Sequence, residues 1–447
     1  MAATASTTSS GFKEKLLSGI IWRALNVLFA FIFNALLVSQ LGADASGNFF
    51  YLLNNLFFAV LLLGLGLESG ISFYNARKEI SASFLFTASI VWSVTGALLF
   101  FILVYFLPLG VVQFNSNHYS LTVYVLGSML TTFLSAIYFT NHDSRTPNLV
   151  TTLTNVILIL LLPKMRWING AINFDNYLLI YLCSPFFSAF ILMLLLFRDK
   201  ITFSLQALNI TVAKPLLLFS MHSFIISLLF NLLKRSDYWF VDKWCTAMDA
   251  GNYFQASKII QLLLLLPALA SFSLYPLIVQ SIKQNEDNTA EVATEKKVMQ
   301  LCGLYFVIAL MFGIGIVAFG YWIFPLLYGK TFGSLYFVIL YLLPGMIFFA
   351  ATYPLSVYFS GKNQNKTTIL FLVVSIGCLV LCNVALTPRY FIYGAAISNT
   401  ISNCVYFFLL LRRFLVQNKL SVMNADLFAA FNISHIVKNL RNISWMN

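Results

Sequence analysis

The 447 residues are 60% hydrophobic and 9% charged, with a mean hydropathy of +0.85 and a formal net charge of +12. Soluble domains carry about a quarter charged residues, so water is excluded as the main solvent and an all-α integral membrane protein is expected. A nucleic-acid-binding face is the other reading of so basic a chain, but no charge run sits on a soluble segment large enough to present one.

In chain order, the polar opening MAATASTTSS followed by Lys13 and Lys15 lacks the charged-then-apolar head of a cleaved signal peptide, so the first apolar run is expected to stay as a helix. A membrane-crossing helix needs about 20 apolar residues, and stretches of this kind recur along the chain. The expected spans are approximately Leu16–Val38, Phe49–Tyr74, Phe84–Leu107, Leu121–Thr140, Leu149–Leu162, Tyr177–Phe197, Pro215–Val241, Tyr253–Ile278, Val298–Ile323, Leu335–Ser360, Thr367–Leu386 and Ile392–Leu411. These runs are too long and too uniformly apolar for barrel strands, which alternate apolar and polar residues.

Orientation follows from Lys and Arg, which accumulate in cytoplasmic loops. With the N-terminus inside, most of the 27 fall on the cytoplasmic side, and only Lys164, Arg166, Lys243, Lys330 and Arg389 fall outside. Both termini are therefore expected in the cytoplasm. Five of the six cysteines lie in apolar runs as small hydrophobes and Cys245 in an outer junction. Cys378 and Cys382 share a helix face, but no His or carboxylate accompanies them, and neither a disulfide nor a metal site is expected.

A weak internal repeat divides the chain. SGNFFYLLNNLFFAVLLLGL from Ser46 is similar to AGNYFQASKIIQLLLLLPAL from Ala250, an offset of 204, with Gly47 matching Gly251, Asn48 Asn252, Phe49 Tyr253 and Phe50 Phe254. Chance explains the Leu runs more readily than it explains the Gly-Asn step. Six spans per half make the halves parallel repeats. The expected organisation is a cytoplasmic segment 1–15, a six-helix bundle 16–197, an amphipathic cytoplasmic connector 198–214, a second six-helix bundle 215–411 and a cytoplasmic tail 412–447. The polar stretch KQNEDNTAEVATEKK after Ile282 reads as a solvated hairpin.

The stretch LYGKTFGSLYFVILYLLPGMIFFAATYPLSVYFSGKNQNKTT and the later TPRYFIYGAAISNTISN resemble the Wzx-type polysaccharide flippases of the multidrug/oligosaccharidyl-lipid/polysaccharide exporter superfamily. LGADASGNFF, LGLESGISFYNA and SDYWFVDKW with AGNYFQASKI resemble the same family, and the likeness covers nearly the whole chain through the order and spacing of its motifs. The resemblance implies two bundles of about 12 helices in all around a central cavity, in a bacterial inner membrane. It also implies a polyprenyl-diphosphate-linked oligosaccharide as cargo, for an O-antigen, lipopolysaccharide or capsule, with a polysaccharide polymerase and glycosyltransferases as partners. No cofactor is expected beyond coupling to an H⁺ or Na⁺ gradient.

A diphosphate headgroup cannot cross about 30 Å of hydrocarbon unaided, and intramembrane charges are functional candidates by default. Arg23 and Glu68 are expected at similar depths in neighbouring helices, as an ion pair. Lys234, Arg235 and Asp237 with Lys258 form a second cluster. Arg23, Lys234, Arg235 and Lys258 are thus candidates for a phosphate-attracting path, and Glu68 and Asp237 for holding those cations or coupling an ion. Each has a plainer reading: a structural pair for Arg23 and Glu68, a short outer loop with snorkelling charges for Lys234 to Lys243, and snorkelling for Lys258. His222 reads as a hydrogen-bonded packing residue and the Gly66-x-x-x-Gly70 step as close helix packing. A multidrug cation antiporter would want carboxylates where this chain has mostly cations. A polymerase or ligase would need a sizeable catalytic outer loop, and the longest outer segment runs only from about Pro163 to Asn176.

Overall fold

In hydrocarbon every backbone N–H and C=O must find a partner within the protein, which leaves continuous helices as the solution for these apolar runs. The structure, a computed structural model, describes residues 3–106, 118–141, 143–167, 174–198, 201–204, 210–272 and 288–418, and among them there is no strand. The helices are α1 Ala3–Gly64, α2 Leu67–Ala76, α3 Ala82–Phe106, α4 His118–Thr140, α5 Arg145–Trp167 and α6 Phe174–Arg198. They continue as α7 Ile210–Arg235, α8 Asp237–Trp244, α9 Ala247–Phe272, α10 Asn288–Tyr328, α11 Leu335–Gly361 and α12 Asn365–Gln417.

Nine helices among the described residues are long and apolar enough to cross a membrane, so the chain is a multi-pass helical membrane protein. Two of the nine are bent between expected spans. α1 kinks at Gly42 (φ 73°, ψ 175°) and α12 at Phe391 (φ 52°, ψ −134°), three residues after Pro388. The second expected span is itself broken, since Leu65 and Gly66 both take positive φ and α2 starts afresh at Leu67. The expected hairpin after Ile282 is corrected in part. Asn288 onward is the first part of α10, and Glu295 is buried, accepting a hydrogen bond from the Tyr358 hydroxyl at 3.2 Å and pairing with Lys362 at 3.5 Å. Residues 283–287 of that stretch, and 419–447 of the tail, lie outside the described residues.

The chain forms two compact units, Met1–Gln40 with Leu52–Leu228, and Leu41–Tyr51 with Leu229–Asn447. The division between these units falls inside α7, and of the expected 198–214 connector residues 199–200 and 205–209 lie outside the described residues. A short piece of the first half, 41–51, also belongs to the second unit.

Within the first unit α4 packs against α2, α3, α5 and α6, and within the second α11 packs against α9, α10 and α12. The apolar windows of α4 and α11 are 56% and 61% buried, against 22–33% for the other spans, so one helix is central in each unit. Lipid supplies no hydrophobic drive between helices, so close contact depends on small residues and van der Waals packing. Gly66 shows this: a Cβ there would meet the Ser220 carbonyl oxygen at 2.7 Å, and one at Gly70 the Ser220 hydroxyl at 2.2 Å. The Gly66-x-x-x-Gly70 face therefore packs on α7 within the first unit.

Candidate functional site

α7 carries Lys234 and Arg235 in its last turn, where the negative end of the helix dipole favours cations. Ser236, still helical at φ −70° and ψ −20°, joins it to α8, whose first residue is Asp237. The charges thus lie on two consecutive helices and not in an outer loop.

Lys234 sits in an aromatic box. Its Nζ donates to the Tyr353 hydroxyl at 3.1 Å and lies 4.3 Å from the Phe230 ring centroid, 5.3 Å from Phe349 and 5.6 Å from Tyr353. Arg235 donates through Nη2 to Gln261 Oε1 at 3.0 Å. Lys258 on α9 places Nζ 3.3 Å from the Phe50 ring centroid. Arg235 is within electrostatic reach of both lysines, so three cations share one region of the second unit. Mutual repulsion in a medium of low dielectric makes such a group a ready counterpart for an anion.

Asp237 is fully buried. Its Oδ2 accepts from the Tyr253 hydroxyl and from Asn399 Nδ2 at 2.8 Å, while Oδ1 has no hydrogen-bond partner. Asn403 Nδ2 in turn donates to Asn399 Oδ1 at 2.8 Å. The expectation that Asp237 holds the cations is therefore corrected: its partners are neutral groups on α9 and α12, because the start of α8 turns the carboxylate towards those helices.

The other expected pair is not formed. Arg23 is exposed, Glu68 is half-buried, and no ion pair joins them among the described residues. The break at Leu65–Gly66 is the reason. It places Glu68 in the first turn of α2, where its carboxylate accepts from its own backbone N–H and meets the positive end of the helix dipole. His222 is exposed with Nδ1 2.8 Å from the Leu218 carbonyl oxygen. Cys245, between α8 and α9, has its thiol pushed up to about 12 by burial and by the charge of Asp249, which leaves no reactive thiolate at neutral pH. No cluster of three or more metal-ligating side chains occurs among the described residues.

Sequence reasoning missed Phe50, Phe230, Tyr253, Phe349, Tyr353 and Asn399. In a chain with 45 Phe and 21 Tyr, no aromatic stands out by type. Asn399 and Asn403, polar residues four apart in an apolar run, were the available signal.

No family model matches the chain, and no similar curated protein was found. Solved structures do match. An inward-facing multidrug resistance MATE family transporter of the MOP superfamily has a TM-score of 0.68 at 16% identity, over 90% of this chain and all of its own. The lipid II flippase MurJ in an inward closed conformation gives 0.67 at 14%, over 96% and 93%. A mutant of the Vibrio cholerae MATE transporter VcmN gives 0.63 at 14%, over 92% and 98%. The chain has the fold shared by these proteins.

Proposed function

We propose that this chain is a flippase of the MOP superfamily, of Wzx type, moving a polyprenyl-diphosphate-linked oligosaccharide from the cytoplasmic to the outer leaflet of a bacterial inner membrane. The observation that carries this reading is the gathering of three cations, Lys234, Arg235 and Lys258, in one region of the second unit. A diphosphate is a matching counter-anion for such a group, and Arg-type forks and Lys ammonium groups are the side chains that bind it. Arg23, exposed on α1 in the first unit, is a separate candidate for attracting phosphate. Asp237, buried with Oδ1 open, and Glu68 at the start of α2 are the groups for coupling an H⁺ or Na⁺ gradient. Alternating access moves the cargo, and a polysaccharide polymerase and glycosyltransferases act after and before it.

One observation favours the second reading, a multidrug cation antiporter. The open carboxylate of Asp237 and the aromatic box suit an organic cation, and MATE transporters share the fold. Proteoliposomes separate the two. Protein-dependent transfer of a lipid-diphosphate-linked oligosaccharide to the opposite leaflet supports the flippase. Absence of that transfer, with gradient-driven uptake of an organic cation in its place, supports the antiporter.

A further inference from the structure

Residues 41–51 come from the first half of the sequence but pack in the second unit, and their contacts there are specific. Ala43 N–H donates to Thr331 Oγ1 at 3.3 Å. A Cβ at Gly47 would lie 2.0 Å from the Ala247 carbonyl oxygen, and one at Gly251 would lie 1.9 Å from the Ala43 carbonyl oxygen. These four residues are related by the repeat offset: 43 matches 247 and 47 matches 251. The contact is therefore reciprocal, as across a two-fold axis, with each copy's small residue receiving the other's backbone. Further along, Tyr51 hydrogen-bonds Asp242, and the Phe50 ring covers the Lys258 ammonium.

The symmetry stops there. Phe254, the counterpart of Phe50, stacks on Tyr238 at 4.2 Å between ring centroids, and the residue matching Lys258 is the neutral Asn54. The segment thus covers a charged group in one direction only. Gly42 carries the kink of α1 at one end of the segment, and at the other the helix continues unbroken to Gly64.

We propose that the 41–51 segment holds Phe50 as a cap on Lys258, setting how strongly the cation cluster attracts a phosphate-bearing anion. The proposal rests on the reading of the cluster given above. With the cap in place the ammonium is attracted by the ring face and shielded from a ligand. With the ring face removed, the same charge is available to phosphate. Phe50 is a positioning residue, acting through Lys258.

The test is titration of the purified full-length protein in detergent with inorganic pyrophosphate. Phe50→Leu keeps an apolar side chain in the pocket but removes the ring face, and should tighten pyrophosphate binding by about fivefold or more, the loss of a buried cation–π contact. Phe50→Tyr should match wild type, and Phe50→Leu should have no effect once Lys258→Ala is present. Unchanged affinity in Phe50→Leu, with binding weakened by Lys258→Ala, overturns the cap and leaves the cation reading standing. Binding unaffected by Lys258→Ala overturns the cation reading, and the cap falls with it.

Discussion

Asn54 and Lys258 occupy matching places in the two copies of the internal repeat, 204 residues apart, in different surroundings. Asn54 is buried in the first unit with neither amide atom hydrogen-bonded, whereas Lys258 lies against Phe50 in the second. The same holds one helix earlier. Asp237, with its hydrogen bonds to Tyr253 and Asn399, matches Phe33, which stacks on Tyr181 at 5.9 Å between centroids. Two copies of one helical scaffold thus keep the same packing step and carry unlike chemistry. The first is uncharged at these positions, and the second gathers charge. Intramembrane charge is costly, so the charges that the second copy carries at these matched positions, where the first carries none, are the candidates for ligand recognition.

The comparison breaks most severely at the shared step. Gly251→Leu puts a side chain onto the Ala43 backbone, which cannot yield as a flexible side chain would. It should abolish the monodisperse peak in size-exclusion chromatography, and Gly47→Leu should do the same. If either variant behaves as wild type, the reciprocal contact is not part of the native packing.

Next in size is the unequal cost of polar groups. Asp237→Ala strands the Tyr253 hydroxyl and Asn399, and should lower stability by about 2–3 kcal/mol, read as a reduced Tm in detergent. Asn54→Leu removes a buried amide that makes no hydrogen bond, and should be neutral or stabilising by up to about 1 kcal/mol. Equal losses in both would erase the distinction between the units. The smallest effect is expected at the separated charges. Arg23→Ala and Glu68→Ala should be additive within about 0.5 kcal/mol in a double-mutant cycle, because the two side chains do not pair. A larger coupling energy would restore the ion pair.

The helices were legible because long apolar runs have one solution in hydrocarbon, and the Gly-Asn step pointed to the segments that cross. The positions of the four charges on α7, α8 and α9 were also legible, since charge in an apolar run is conspicuous. Their partners were not. Whether Asp237 faces Lys258 or Tyr253 depends on the rotation of α8 after Ser236, and no periodicity of the sequence sets that. The break before Glu68 was equally hidden: LGLGLESG contains glycines that suit either a straight helix with close packing or a positive-φ break, and only contact with α7 decides between them.

The central claim is that the cations of the second unit recognise phosphate. Its most direct test is the rate at which a lipid-diphosphate-linked oligosaccharide crosses proteoliposome membranes, compared among wild type, Lys258→Arg and Lys258→Ala at equal insertion. The account predicts transfer retained in Lys258→Arg and reduced by about tenfold or more in Lys258→Ala, the loss of one charge-assisted contact. Transfer at the wild-type rate in Lys258→Ala would contradict it.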